Sequence, residues 1–126
     1  MKFTNADILE KISILEHFLD RSDIVGYAAA RNTRKLRNEI VEYEKFRNNL
    51  IKEYGTPEVD ENGNETGRFM VMPNSKDFVM VSAKMDELDK IEHNVDIMTI
   101  PYEDIIGKLT GSEILSIDWM LEDSDS

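Results

Sequence analysis

Arg31, Arg34 and Arg37 stand three apart in the run RNTRKLR, with Lys35 among them. On a helix that spacing brings the three guanidiniums near one face, where their planar forks can hold carboxylates or phosphates bidentately. Carboxylates of the same fold could equally pair with them. The other residue types that carry chemistry are scattered. The two histidines, His17 and His93, have no second ligand candidate at a metal-binding spacing; His17 follows Ser13 by one turn, and His93 falls at an expected helix end, where an imidazole favours the last carbonyls. Cysteine is absent, which removes disulfides, thiolate metal sites and cysteine nucleophiles together. Carboxylate pairs such as Asp86/Asp89 and Glu103/Asp104 arise by chance among 26 acidic residues. There is no phosphate loop, no GxSxG elbow and no HExxH. No nucleophile, base and orienter stand together, so the sequence points to a chain that is not an enzyme and needs no cofactor or metal.

The stretch VDENGNETG deserves the calcium question. Asp60, Asn62 and Asn64 place oxygen ligands at the first, third and fifth positions of a calcium loop, but the sixth is Glu65 and the twelfth is Val71. An EF-hand loop wants glycine and a bidentate glutamate there. Asn62-Gly63 is instead a preferred pair for a two-residue type I′ turn, and RFMVM supplies strand-forming residues after it.

Around these residues the elements follow from periodicity and capping. Thr4 and Asp7 form a variant capping box ahead of a helix over 5–20, in which Ile8, Ile12, Leu15 and Leu19 recur at helical spacing beside Phe18. Ser22 is an N-cap candidate for a second helix over 23–54, stopped by Gly55 and Pro57. These two helices read as a long antiparallel hairpin over 5–54, with the small residues Gly26, Ala28, Ala29 and Ala30 letting the first helix approach. Residues 56–72 read as a loop or β-hairpin. Ser75 is positioned to cap a helix over 75–93, and the alternation of VDIMTI predicts a strand over 95–100, with RFMVM as its possible pairing partner. Thr110 and Glu113 form a capping box for a last helix over 111–121, and 122–126 reads as a disordered acidic tail. The expectation is a mostly helical α+β fold, a single domain over 1–121.

The 126 residues suit one domain, and 40% hydrophobic against 33% charged residues is enough apolar material for a core. Neither a signal peptide nor a membrane span is visible, which makes the cytoplasm the expected compartment and excludes a membrane role. The net charge of −11 is unevenly placed: residues 1–57 hold 10 basic and 9 acidic side chains, whereas residues 86–126 hold 2 and 12. That acidic third, including Asp118 and Glu122, repels nucleic acid and attracts a basic surface. A 30-residue helix near 45 Å long exceeds what a globule of this size covers. Leu36, Tyr43 and Leu50, seven apart, therefore form a candidate seam for a homodimer, unless the later helices cover them.

The run YAAARNTRKLRNEIVEYEKFRNNLIKEYG, then DENG, then FVMVSAKMDELDKIEHNVDI and the closing VDIMTI, resembles small, functionally uncharacterised helical-hairpin proteins encoded in bacteriophage and prophage genomes. The resemblance covers roughly residues 25 to 120 and brings no catalytic residue with it. It implies a viral accessory protein acting in an infected or lysogenic bacterial cell through contact with phage or host proteins. A host-defence component is one candidate partner. Two functional expectations follow. One is protein binding through the hairpin or the acidic third; the other is nucleic-acid association through Arg31, Arg34, Lys35 and Arg37.

Overall fold

The computed structural model describes residues 1–122; the expected acidic tail, apart from Glu122, lies outside the described residues. Five α-helices and three two-stranded sheets give a mostly helical α+β fold. The chain divides into two compact units, one made of Met1–Glu39 together with the chain from Glu92 onward, the other of Ile40–Ile91.

In the first unit β1 (Lys2–Thr4) leads directly into α1 (Asn5–Leu15). The Thr4 capping box forms as expected: the hydroxyl accepts from the Asp7 amide, and the Asp7 carboxylate accepts from the Thr4 amide, both at 3.0 Å. After Leu15 the chain tightens into a 3₁₀ turn over Glu16–Phe18, so the helix expected to reach residue 20 ends early. α2 (Ile24–Glu39) packs against α1. Its N-terminus is capped by Asp23 and not by Ser22, with Oδ1 accepting from the Gly26 amide at 3.3 Å while the carboxylate holds the Arg21 guanidinium. A methyl group at Gly26 would lie 1.9 Å from the Arg21 carbonyl oxygen, so the close approach there needs glycine. Ala28, Ala29, Leu36 and, from α1, Ile8 and Leu15 have no exposed surface. Each large one contributes about 1.5–3 kcal/mol by burial.

β1 pairs antiparallel with β4 (Glu92–Asn94), Phe3 opposite His93. The segment 95–100, expected to be a strand, forms no ladder through its middle. Only its last residue does, in β5 (Ile100–Pro101), which pairs in parallel with β6 (Leu121–Glu122). Strict alternation fails too, since Val95 and Ile100 are both buried. α5 (Gly111–Ser116) starts from the Thr110–Glu113 capping box as expected and then gives way to a 3₁₀ turn over Asp118–Met120. Trp119 there meets the Phe3 ring edge to face at 5.8 Å.

The second unit opens with α3 (Val41–Tyr54). The helix expected over 23–54 is therefore broken at Ile40 (φ −103°, ψ 11°), into pieces of about 24 and 21 Å. Ile40 and Val41 are consecutive β-branched residues, weak at holding a helix, and Ile40 is completely buried. Gly55 ends α3, its amide donating to the Ile51 carbonyl; a Cβ there would lie 2.3 Å from that oxygen. β2 (Thr56–Val59) and β3 (Glu65–Met70) form an antiparallel hairpin with a register shift between Pro57 and Val59. RFMVM thus pairs with its neighbour in sequence. The hairpin tip is not a type I′ turn, because Asn62 does not have positive φ. The Gly63 amide donates to the Asp60 carbonyl, Gly63 takes φ +80°, and the Asp60 carboxylate accepts from the amides of Asn62 and Asn64. α4 (Phe78–Asp89) is shorter than the expected 75–93 and is not capped by Ser75, whose buried hydroxyl has no hydrogen-bond partner among the described residues.

Candidate interaction surface

α2 has two unlike faces. Asn32, Thr33 and Leu36 point inward and are buried; Tyr27, Ala30, Arg31, Arg34, Arg37 and Asn38 are exposed. The inward face does more than pack. The Asn32 carboxamide donates from Nδ2 to the Met98 carbonyl at 3.0 Å and accepts at Oδ1 from the Met98 amide at 2.8 Å. One side chain thus imitates a neighbouring strand, which is why the extended segment around Met98 needs no ladder. One turn on, Lys35 Nζ donates to the Asp96 carbonyl at 2.6 Å. Lys35 is therefore occupied in holding the fold and does not stand free beside the arginines.

The outward face behaves differently. Arg31 lies over the Tyr27 ring at 6.0 Å and donates to its hydroxyl at 3.4 Å. Arg34 and Arg37 make neither an ion pair nor a side-chain hydrogen bond among the described residues. Among the described residues no carboxylate lies within 4.0 Å of any of the three guanidiniums. Arg34 separates two shallow clefts, one of about 400 Å³ lined by Tyr27, Ala30, Arg31 and Lys35, the other of about 350 Å³ lined by Leu19, Thr33, Arg37 and Asn38. Pairing with the chain's own acids, an open alternative from sequence, does not occur among the described residues. Tyr27, which sequence reasoning passed over, is part of this face; its distance of four residues from Arg31 was the available signal.

The remaining candidates are dispersed. Leu36 is completely buried and Tyr43 is 7% exposed, its hydroxyl donating to Asp89, while Leu50 is partly exposed. Leu36 has no exposed surface and Tyr43 little, so neither offers the area that a dimer seam would use. Asp118 and Glu122 are exposed on the acidic third, and Glu122 Oε1 accepts from the Thr99 hydroxyl at 2.6 Å.

The histidines take structural surroundings. His93 is on β4 and not at a helix end; Nε2 lies 2.7 Å from Asn5 Oδ1 and Nδ1 lies 3.1 Å from Glu39 Oε1. It ties the start of α1 to the end of α2. His17 rims a cleft of about 450 Å³ with Glu10, Ser13, Ser112 and Glu113. It makes no side-chain hydrogen bond among the described residues, so no serine–histidine relay is assembled there. Among the described residues no three acidic or histidine side chains gather as a metal site, and no helix is long and apolar enough to cross a membrane. Comparison with known protein families, curated proteins and solved structures gives no match for this chain.

Proposed function

We propose that this chain is a non-enzymatic accessory protein that binds a protein partner through the outer face of α2. The observation that carries the reading is the row Arg31, Arg34 and Arg37, left without a carboxylate among the described residues of a chain with 26 acids. A rigid helix holds these forks pre-arranged, so little entropy is lost when an acidic patch meets them. The charge distribution favours protein over nucleic acid. The last 41 residues repel a polyanion, whereas a protein can set acidic side chains against α2 and basic ones against the acidic third. The resemblance to phage and prophage proteins supports placing that partner in the cytoplasm of an infected or lysogenic bacterium, with a host-defence component as one candidate.

The test is affinity capture from such cells at physiological salt, with the parent protein and with R31E/R34E/R37E. A protein retained by the parent and lost by the variant supports the reading; equal background with both overturns it. A second reading, phosphate binding by the same face, is favoured by the Tyr27 ring beside Arg31. It requires binding of DNA or RNA oligomers that weakens with salt at a log–log slope of about −2 to −3 for three contacts. No binding of either at low salt removes it.

A further inference from the structure

The second unit is thinly packed for its size. Of its apolar side chains only Ile40, Tyr43 and Val81 are buried, while Phe46, Phe69, Met70, Met72 and Val79 are exposed. All six residues of β3 are exposed, and a two-stranded hairpin of this kind is marginal in water unless one face is covered. Two clefts meet along it and share Arg47, Ile51 and Phe69. One, of about 510 Å³, is lined in addition by Asn48, Lys52, Gly67 and Arg68; it has three cations and no carboxylate. The other, of about 400 Å³, continues between β3 and α4 over Met70, Phe78, Val81 and Met85, with Asp86 at its edge.

Arg47 sits at the junction. Its guanidinium lies 6.0 Å from the Tyr43 ring, and its buried Nε has no hydrogen-bond partner among the described residues. A buried donor left unmade costs about 1–3 kcal/mol, so this guanidinium is not fully satisfied within the described residues. Neither Arg47, Lys52 nor Arg68 forms an ion pair among the described residues.

We infer that this groove of the second unit docks a short peptide segment of a protein partner, with one or two carboxylates seated on Arg47, Lys52 and Arg68 and apolar side chains laid over Phe69, Phe78 and Met85. Charge complementarity fixes the acidic end, and the apolar floor fixes the other. A polyphosphate backbone fits only the cationic half, since the rest adds no cation to the shared Arg47 and ends at Asp86. The inference is independent of α2, because the groove shares no residue with that face.

Selection of a random dodecapeptide library on the immobilised full-length protein tests it, followed by fluorescence anisotropy of the selected peptides. Selected sequences are expected to carry Asp or Glu within about four residues of Leu, Ile, Phe or Met, one helical turn or two strand repeats apart. Their affinity is expected to fall about tenfold or more in K52E/R68E, a double charge reversal at exposed positions, and to be unchanged in R31E/R34E/R37E. Circular dichroism of K52E/R68E matching the parent keeps a loss of affinity from being a loss of fold. Failure to enrich any sequence, enrichment of peptides without carboxylates, or equal binding by K52E/R68E each overturns the inference. So does loss of binding in the α2 variant instead, which would assign the peptides to that face. Self-association of the parent that K52E/R68E abolishes would make a second copy of this chain the occupant, and oligonucleotide binding that the same variant abolishes would make it a nucleic acid; either overturns the peptide.

Discussion

Replacing Asn32 with Leu keeps the branching and nearly the volume of the side chain while deleting both of its bonds to Met98. The Met98 amide and carbonyl, partly buried at 2.8 and 3.0 Å from the carboxamide, then have no strand to fall back on. Each bond contributes about 1 kcal/mol net, and each backbone group left dry costs about 1–3 kcal/mol. Because the site is only partly buried, water recovers some of this, and the expected loss is about 2–4 kcal/mol. That is a fall of about 10–30 °C in Tm for a unit of this size. Urea unfolding gives the free energy, and amide hydrogen exchange gives the local effect, since the Met98 amide should lose its protection. Asn32→Asp should be worse at neutral pH, because one carboxylate oxygen would face the Met98 carbonyl, and should partly recover in acid, where a protonated carboxyl can donate. Unfolding of Asn32→Leu within about 0.5 kcal/mol of the parent, with the Met98 amide still protected, would refute the strand-mimic argument.

Three further outcomes follow from particular contacts. Tyr43 has its hydroxyl pushed up to about 12, first by burial and next by the hydrogen bond to Asp89. Its raised value means its contribution is complete below the ordinary tyrosine range and is lost as pH rises through about 12; Tyr43→Phe should cost about 1 kcal/mol at neutral pH and flatten the alkaline loss seen in pH-dependent unfolding. Asp23 is held below the ordinary carboxylate range, chiefly by the Arg21 guanidinium. Asp23→Ala should therefore cost about 1–2 kcal/mol at neutral pH, a difference that thermal melts should show disappearing as pH falls through the lowered value. Gly26→Ala drives a methyl group into the Arg21 carbonyl oxygen and should destabilise by about 2–4 kcal/mol in urea, far beyond the gain alanine gives an open helix position.

What the sequence disclosed were features that close over three or four residues. The boxes Thr4–Asp7 and Thr110–Glu113 formed where their spacing placed them, because both partners lie within one turn. The cap of α2 moved from Ser22 to Asp23, whose carboxylate also holds Arg21 and so satisfies two groups at once. The break at Ile40 was invisible to periodicity, since two helices in succession can each keep the apolar rhythm while the residue between them leaves the helical region. The segment 95–100 misled for a different reason: the group satisfying its backbone is a side chain 66 residues away in sequence. Asn32 carries no motif that singles it out in the sequence. The candidate face was legible as a spacing of arginines, but whether they were neutralised depended on which acids the fold brought near, and that is a tertiary property.

The pairing of Phe3 with His93 has a consequence for the order in which the chain is made. The two residues are about 90 apart, so at 5–20 residues per second the first strand waits roughly 5 to 18 seconds on the ribosome for its partner. Throughout that interval Ile40–Ile91, a compact unit formed from one unbroken stretch of chain, can assemble on its own clock. The first unit therefore completes late by connectivity, its longest-range pairing being the three residue pairs of β1 and β4. During synthesis α1 meets α2 before β4 exists, so within the first unit the packing of α1 on α2 can precede the β1–β4 pairing.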